Sequence, residues 1–158
     1  YGLPRQSDDD PAKEIPFNGV YRVAPSGKVS LVIDSLTRPN GLAFFPGETK
    51  LLVANSDPEK PNWYLIDIGP DGTRTPARIF YSTAHEREGL NGLPDGLKID
   101  KNGTVFASGP GGVWIFNSEG KVLGKIVLEE SVSNVALSAD EKTLYITNDT
   151  YVLRVKLR

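Results

Sequence analysis

The stretch GLPDGLKIDKNGTVFAS, residues 92–108, sets a carboxylate directly before a short apolar strand, then a turn, then a β-rich strand. Two other stretches follow the same plan: NGLAFFPGETKLLVAN at residues 40–55 and NVALSADEKTLYITN at residues 134–148. Each copy opens on an oxygen-bearing side chain, at Asn40, Asp95 and Asn134. Their turns, Pro46-Gly47-Glu48, Lys101-Asn102-Gly103 and Ala139-Asp140-Glu141, carry the Gly and Asn residues that hairpins use for left-handed backbone.

A second kind of hairpin alternates with the first. It runs over residues 19–33, returns from Trp63 to a strand ending near Phe80, and returns again over residues 112–127. A last single strand, residues 151–157, opens another copy. Repeating four-stranded antiparallel units of this length are the blades of a β-propeller. The expected fold is therefore all-β, with a partial blade over residues 15–34, blades over 40–80 and 95–128, and a partial blade over 134–157. A single turn of helix is the most that residues 82–88 would add. Two full blades do not close a ring, since propellers have about four to eight. The chain is thus expected to be the C-terminal part of one larger propeller domain. It starts at Tyr1 and has no methionine, which fits removal of a leader or truncation.

Composition excludes several classes. Net charge is −2 with both signs interspersed, so there is no basic stripe for nucleic acid. The apolar runs are too short to span a membrane. With no cysteine and one histidine, thiolate chemistry and a multi-histidine zinc site within this chain are excluded. The compartment is left open.

In a propeller, the first strand of each blade lines the central channel, so the repeat brings Asn40, Asp95 and Asn134 toward one point. Carboxylate and amide oxygens suit a hard cation such as Ca²⁺. Asp95 adds the charge and a group able to take a proton from water. The same residue types also cap turns before strands, and composition does not choose between the two readings.

The segments IPFNGVYR (15–22), RPNGLAF (38–44), VANSD (53–57), LPDGLKID (93–100), GPGGV (109–113) and TLYIT (143–147) together resemble the senescence-marker-protein/gluconolactonase, or regucalcin-like, family. The resemblance runs from about residue 15 to 157 in order and spacing. It implies a six-bladed propeller with a divalent cation in its channel, usually Ca²⁺, with Zn²⁺, Mg²⁺ or Mn²⁺ as alternatives. It implies hydrolysis of sugar-acid lactones. Asn40 and Asp95 carry over as metal ligands, and Asp95 also as the general base. Asn134 is not one of the family's usual ligands and is expected to line the substrate pocket. The family's other two ligands, a Glu and an Asn of earlier blades, have no counterpart among these residues. Half of a metal site and weak cation binding by this chain alone are therefore expected. Full function calls for the N-terminal remainder of a propeller, or another copy of this chain, as partner. The alternative is a non-catalytic propeller piece that acts as a binding or assembly module.

Other features invite blander readings. His85 sits among charged loop residues, and no Gly-x-Ser-x-Gly is present. Asp8-Asp9-Asp10 lacks the spacing of a calcium loop and reads as a solvated loop. Gly109-Pro110-Gly111-Gly112 leads into a strand and reads as a tight turn. Trp63 and Trp114 are expected to pack between blades; Asn55 and Asn148, with Ser108 at the third equivalent place, are expected to cap strand ends rather than reach a ligand. Asn102-Gly103-Thr104 and Asn148-Asp149-Thr150 match the glycosylation triplet, which arises often by chance.

Overall fold

A computed structural model describes residues 10–157. It divides into two compact units, Tyr1–Thr37 and Arg38–Arg158. Of the acidic run, Asp8 and Asp9 lie outside the described residues. Asp10 is buried rather than solvated, and its carboxylate accepts the Ala12 N–H at 2.8 Å. The acid closes a local turn, which is how Asp at such positions satisfies both backbone and side chain.

The first unit contains one hairpin, β1 (Val20–Val23) and β2 (Val29–Ile33). Its turn closes with Ala24 N–H donating to Lys28 O, over Gly27 at φ 81°. Val20, Ile33 and Leu36 are its buried apolar residues.

The second unit holds three antiparallel sheets in chain order. The first is β3 (Pro39–Phe44), β4 (Lys50–Asp57), β5 (Lys60–Asp67) and β6 (Arg78–Ser82). The second is β7 (Leu97–Ile99), β8 (Val105–Gly109), β9 (Gly112–Phe116) and β10 (Val122–Val127). The third has β11 (Val132–Leu137), β12 (Thr143–Asn148) and β13 (Tyr151–Lys156). Each sheet runs as a simple meander, the strand order of a propeller blade. Residues 83–92 form turns and no helix.

Side-chain pattern explains how the sheets lie together. Every residue of β8 is buried, so the central sheet is covered on both faces. Its sequence, VFASG, is correspondingly continuous rather than alternating. β12 instead alternates, with Leu144, Ile146 and Asn148 buried and Tyr145 and Thr147 exposed. One core lies between the first two sheets and joins Leu52, Ala54, Trp63 and Leu65 to Leu97, Val105, Trp114 and Phe116. A second lies between the next two and joins Phe106 and Val113 to Val135, Leu144 and Ile146.

Both tryptophans sit between sheets, as their placement in the sequence suggests. The Trp63 ring meets Phe116 edge-on at 5.2 Å, and Trp114 stacks on Phe116 at 6.0 Å. Such pairs add about 0.5–1.5 kcal/mol each beyond area burial. The Lys125 Nζ lies 3.6 Å from the Trp114 ring centroid and covers the outer side of the cluster.

The 109–112 turn is where glycine is obligatory. Gly112 has φ 132°, and a Cβ there would run into the Ile126 carbonyl oxygen across β9 and β10. Gly124, on β10, has nothing within 4 Å of the equivalent point. Gly112→Ala should therefore lower unfolding stability in urea by about 2–4 kcal/mol, the sum of backbone strain and displaced strand. Gly124→Ala should stay within about 0.5 kcal/mol of the parent. Equal effects of the two substitutions would show that this turn does not constrain the sheet.

Candidate functional site

The three strand entries can be put in register from the bonds that close their hairpins. These are Phe45 N–H to Lys50 O, Asp100 N–H to Thr104 O, and Ser138 N–H to Thr143 O, each at 2.9 Å. Counting back the same distance from Phe45, Asp100 and Ser138 reaches Asn40, Asp95 and Ser133. Ser133, not Asn134, thus holds the place expected of Asn134. Two adjacent polar residues precede the third apolar run, and residue type alone aligned the wrong one.

Glycine contacts give the same register independently. A Cβ on Gly41 would strike the Asp95 carbonyl oxygen and the Gly96 Cα. A Cβ on Gly96 would strike the Ser133 carbonyl oxygen and the Asn134 side chain. The Gly after Asn40 and the Gly after Asp95 are thus the points where one sheet's first strand presses on the next. This close approach sets the Asn40 and Asp95 backbones side by side.

Hydrogen bonds lock the entries. Gly96 N–H donates to Ser133 O at 2.8 Å, and Ser108 N–H to Gly96 O at 3.0 Å. The buried Ser108 Oγ donates to Gly96 O at 2.9 Å, and Asp95 N–H reaches Ser108 O at 3.3 Å. At the first entry, Asn40 Nδ2 lies 3.1 Å from Ser56 Oγ, which donates to Pro94 O at 2.5 Å.

The Asp95 carboxylate differs from its surroundings. It is half-buried, and among the described residues it has neither a hydrogen bond nor an ion pair. Burial alone pushes its carboxyl above the ordinary 3.8. A partly desolvated anion without a donor is an electrostatic deficit that a cation or proton would fill. The donor set here is one carboxylate and one amide oxygen, which fits a hard divalent cation and not a thiophilic one. Among the described residues, no three His, Cys, Asp or Glu gather as a metal cluster, so Asp95 supplies the acidic charge of this entry by itself.

Asn134 is engaged differently. Its Oδ1 accepts Val135 N–H at 2.9 Å and the Lys98 Nζ at 3.3 Å. The neighbouring Ser133 Oγ lies 2.7 Å from Thr147 Oγ1, which donates to Asn134 O. The third entry is closed on itself. Asn55 and Asn148 are spent on backbone: Asn55 accepts Arg38 N–H at 2.7 Å, and Asn148 Nδ2 donates to Glu130 O at 2.8 Å. The same bond, with 6% exposure, removes Asn148 as a glycan acceptor. His85 is exposed on the 83–92 connection. Spacing pointed to Ser108, as the counterpart of Asn55 and Asn148, but not to Ser56 or Ser133. The Ser56 hydroxyl acts between sheets, the Ser108 hydroxyl bonds Gly96 O of its own sheet and reaches Ser133 O only at 3.5 Å, and the Ser133 hydroxyl stays within the third sheet.

Comparison with known proteins agrees with this architecture. The SMP-30/gluconolactonase/LRE-like region matches residues 2–150. A gluconolactonase of Zymomonas mobilis is 40% identical over 162 residues, spanning 100% of this chain and 45% of that protein. A lactonase of Staphylococcus epidermidis is 30% identical over 121 residues, spanning 72% of this chain and 34% of that one. Among solved structures, a gluconolactonase of Xanthomonas campestris superposes with a TM-score of 0.80 at 30% identity, over 92% of this chain and 46% of that one. A calcium-binding regucalcin of Agrobacterium tumefaciens shares the fold, with a TM-score of 0.66 at 21% identity, over 82% of this chain and 43% of that one. The chain thus spans less than half the length of these relatives. Its sheets are blades of a β-propeller, and the chain belongs to the SMP-30/gluconolactonase/LRE-like family.

Proposed function

We propose that the protein carrying this chain hydrolyses sugar-acid lactones at a Ca²⁺ site to which Asn40 and Asp95 contribute. The observation that carries this reading is the half-buried, unpartnered Asp95 carboxylate, pressed against the Asn40 entry through Gly41. Membership of a family that includes gluconolactonases supports the substrate class.

Asn40 would hold the cation through Oδ1 and Asp95 through its carboxylate. When bound, the cation supplies Lewis acidity that polarises the lactone carbonyl. Asp95 would take a proton from the attacking water as the new C–O bond forms. The ring C–O bond would then break, and the ring oxygen would take that proton back from Asp95 and leave as the alcohol of the hydroxy acid. With the cation bound, its charge would lower the Asp95 pKa, so Asp95 would act as a base through proximity, on a backbone that holds it in one place. Asn134 borders the entry, with its Oδ1 tied to Lys98. A role for it toward substrate rests on contact through Nδ2.

In the full-length protein, Asp95→Ala should cut lactone hydrolysis by at least about 100-fold, the scale of a lost general base. Far-ultraviolet circular dichroism should be unchanged. Near-parental turnover in a folded variant would remove Asp95 from the mechanism.

Stability should show the same residue from the other side. A carboxyl with a raised folded pKa stabilises the fold fully only below its unfolded value. That contribution is lost as pH rises through the folded value. At pH 7 with chelator present, ionised Asp95 is thus a burden, and Asp95→Asn should raise the melting temperature. The gain should vanish on acidification below the ordinary 3.8. Added Ca²⁺ should raise the melting temperature of the parent and not of Asp95→Asn. A variant that melts lower than the parent at pH 7 in chelator would mean that the Asp95 carboxylate has a stabilising partner.

A further inference from the structure

The Ser56 hydroxyl stands between the two proposed ligands. It lies near the end of β4, half-buried, and touches Asn40 on one side and Pro94, the residue before Asp95, on the other. The chemistry of this junction fixes an orientation. A serine hydroxyl has a single proton. The Pro94 carbonyl can only accept, and it lies 2.5 Å from Oγ, so the proton is committed there. Oγ is then left with lone pairs alone for Asn40. The Asn40 atom at 3.1 Å must be the Nδ2 donor, and Oδ1 must face away from Ser56. Among the described residues, Asn40 Oδ1 accepts nothing else. It is left as an unused acceptor at the strand entry.

The Pro94–Asp95 peptide is gripped from both sides. Its carbonyl accepts from Ser56, and its N–H donates to Ser108 O. Pro94 itself is buried and has a ring-fixed φ. One hydroxyl therefore orients the amide of the first ligand and the backbone that leads into the second.

We propose that Ser56 is a positioning residue of the cation site. It holds the Asn40 amide with Oδ1 free for the cation and couples that amide to the segment carrying Asp95. This rests on the cation reading of Asn40 and Asp95. Without Ser56, the amide has two nearly equivalent orientations. One presents NH₂ to the cation and must be excluded each time the ion binds. Groups that orient metal ligands from outside are worth about 10–100-fold in affinity.

The test is Ca²⁺ titration of the full-length protein by calorimetry, on a double-mutant cycle. Ser56→Ala should weaken Ca²⁺ binding about tenfold. Ser56→Thr, which keeps the hydroxyl, should restore most of it. In an Asn40→Ala background, Ser56→Ala should cost clearly less than in the parent, because part of its effect passes through that amide. Three results would overturn the assignment: undiminished affinity in Ser56→Ala, failure of Thr to rescue, or full additivity with Asn40→Ala. A purely structural staple between sheets would lower the melting temperature in chelator and leave the Ca²⁺ affinity of the folded variant untouched, which also overturns it. If the parent binds no Ca²⁺, the cation reading fails and this inference with it. If the parent binds and Ser56→Ala binds equally well, only the role of Ser56 falls.

Discussion

The absence of a side chain at Gly41 and Gly96 is the constraint on which the strand entries depend. Each glycine faces the backbone of the next sheet at a spacing that no Cβ tolerates. With any other residue, the two strands would separate, and Gly96 N–H would lose the Ser133 carbonyl. The two polar residues just before these glycines are carried along by the same contact. Close backbone approach and the gathering of oxygen donors are thus one event. The pairs Asn40-Gly41 and Asp95-Gly96 encode it in two residues each. Glycine here serves through its lack of bulk. Neither position has a positive φ.

Away from the entries, the sheets are held by area rather than by direction. The central sheet has covered faces on both sides at its middle strands, β8 and β9, which read as nearly continuous buried runs. The third sheet shows the alternation of a surface covered on one side. This made the fold class legible. The repeats, their turns and the single-strand last copy all follow from local pattern, and the hairpin registers follow from the turns. Trp63 and Trp114 were also readable, since large aromatics in strands seek the space between sheets.

The site was legible only where the repeat and the chemistry coincide. Asn40 and Asp95 stand out because each precedes a glycine at the same step of the repeat. The third copy has no such glycine. Ser133 and Asn134 are both polar there, and only hydrogen-bond register separates them. Ser56 left no trace in the pattern. Its partner Pro94 is 38 residues away, in the segment leading into another sheet, and a serine near a strand end is ordinary. Asp10 escaped for the opposite reason: an acidic run suggests solvent, whereas this member of it folds back on its own turn. What the sequence withholds, then, is contact between sheets, because no local period carries it.

Hydrogen bonds around the entries determine what the site lacks. The Asn55 and Asn148 amides, the Asn134 Oδ1 and the Ser108 hydroxyl are spent on backbone or on neighbours. Among the described residues Asp95 is the exception, a partly desolvated carboxylate left without a donor. Folding tolerates this because the rest of Asp95 is pinned. Its N–H is bonded to Ser108, its preceding carbonyl to Ser56, and its following glycine is wedged against Ser133. The carboxylate can move only through its own side-chain torsions, from a fixed Cα. The backbone therefore keeps the charge in a partly desolvated place. The free energy withheld from hydration is then available to whatever positive charge arrives there.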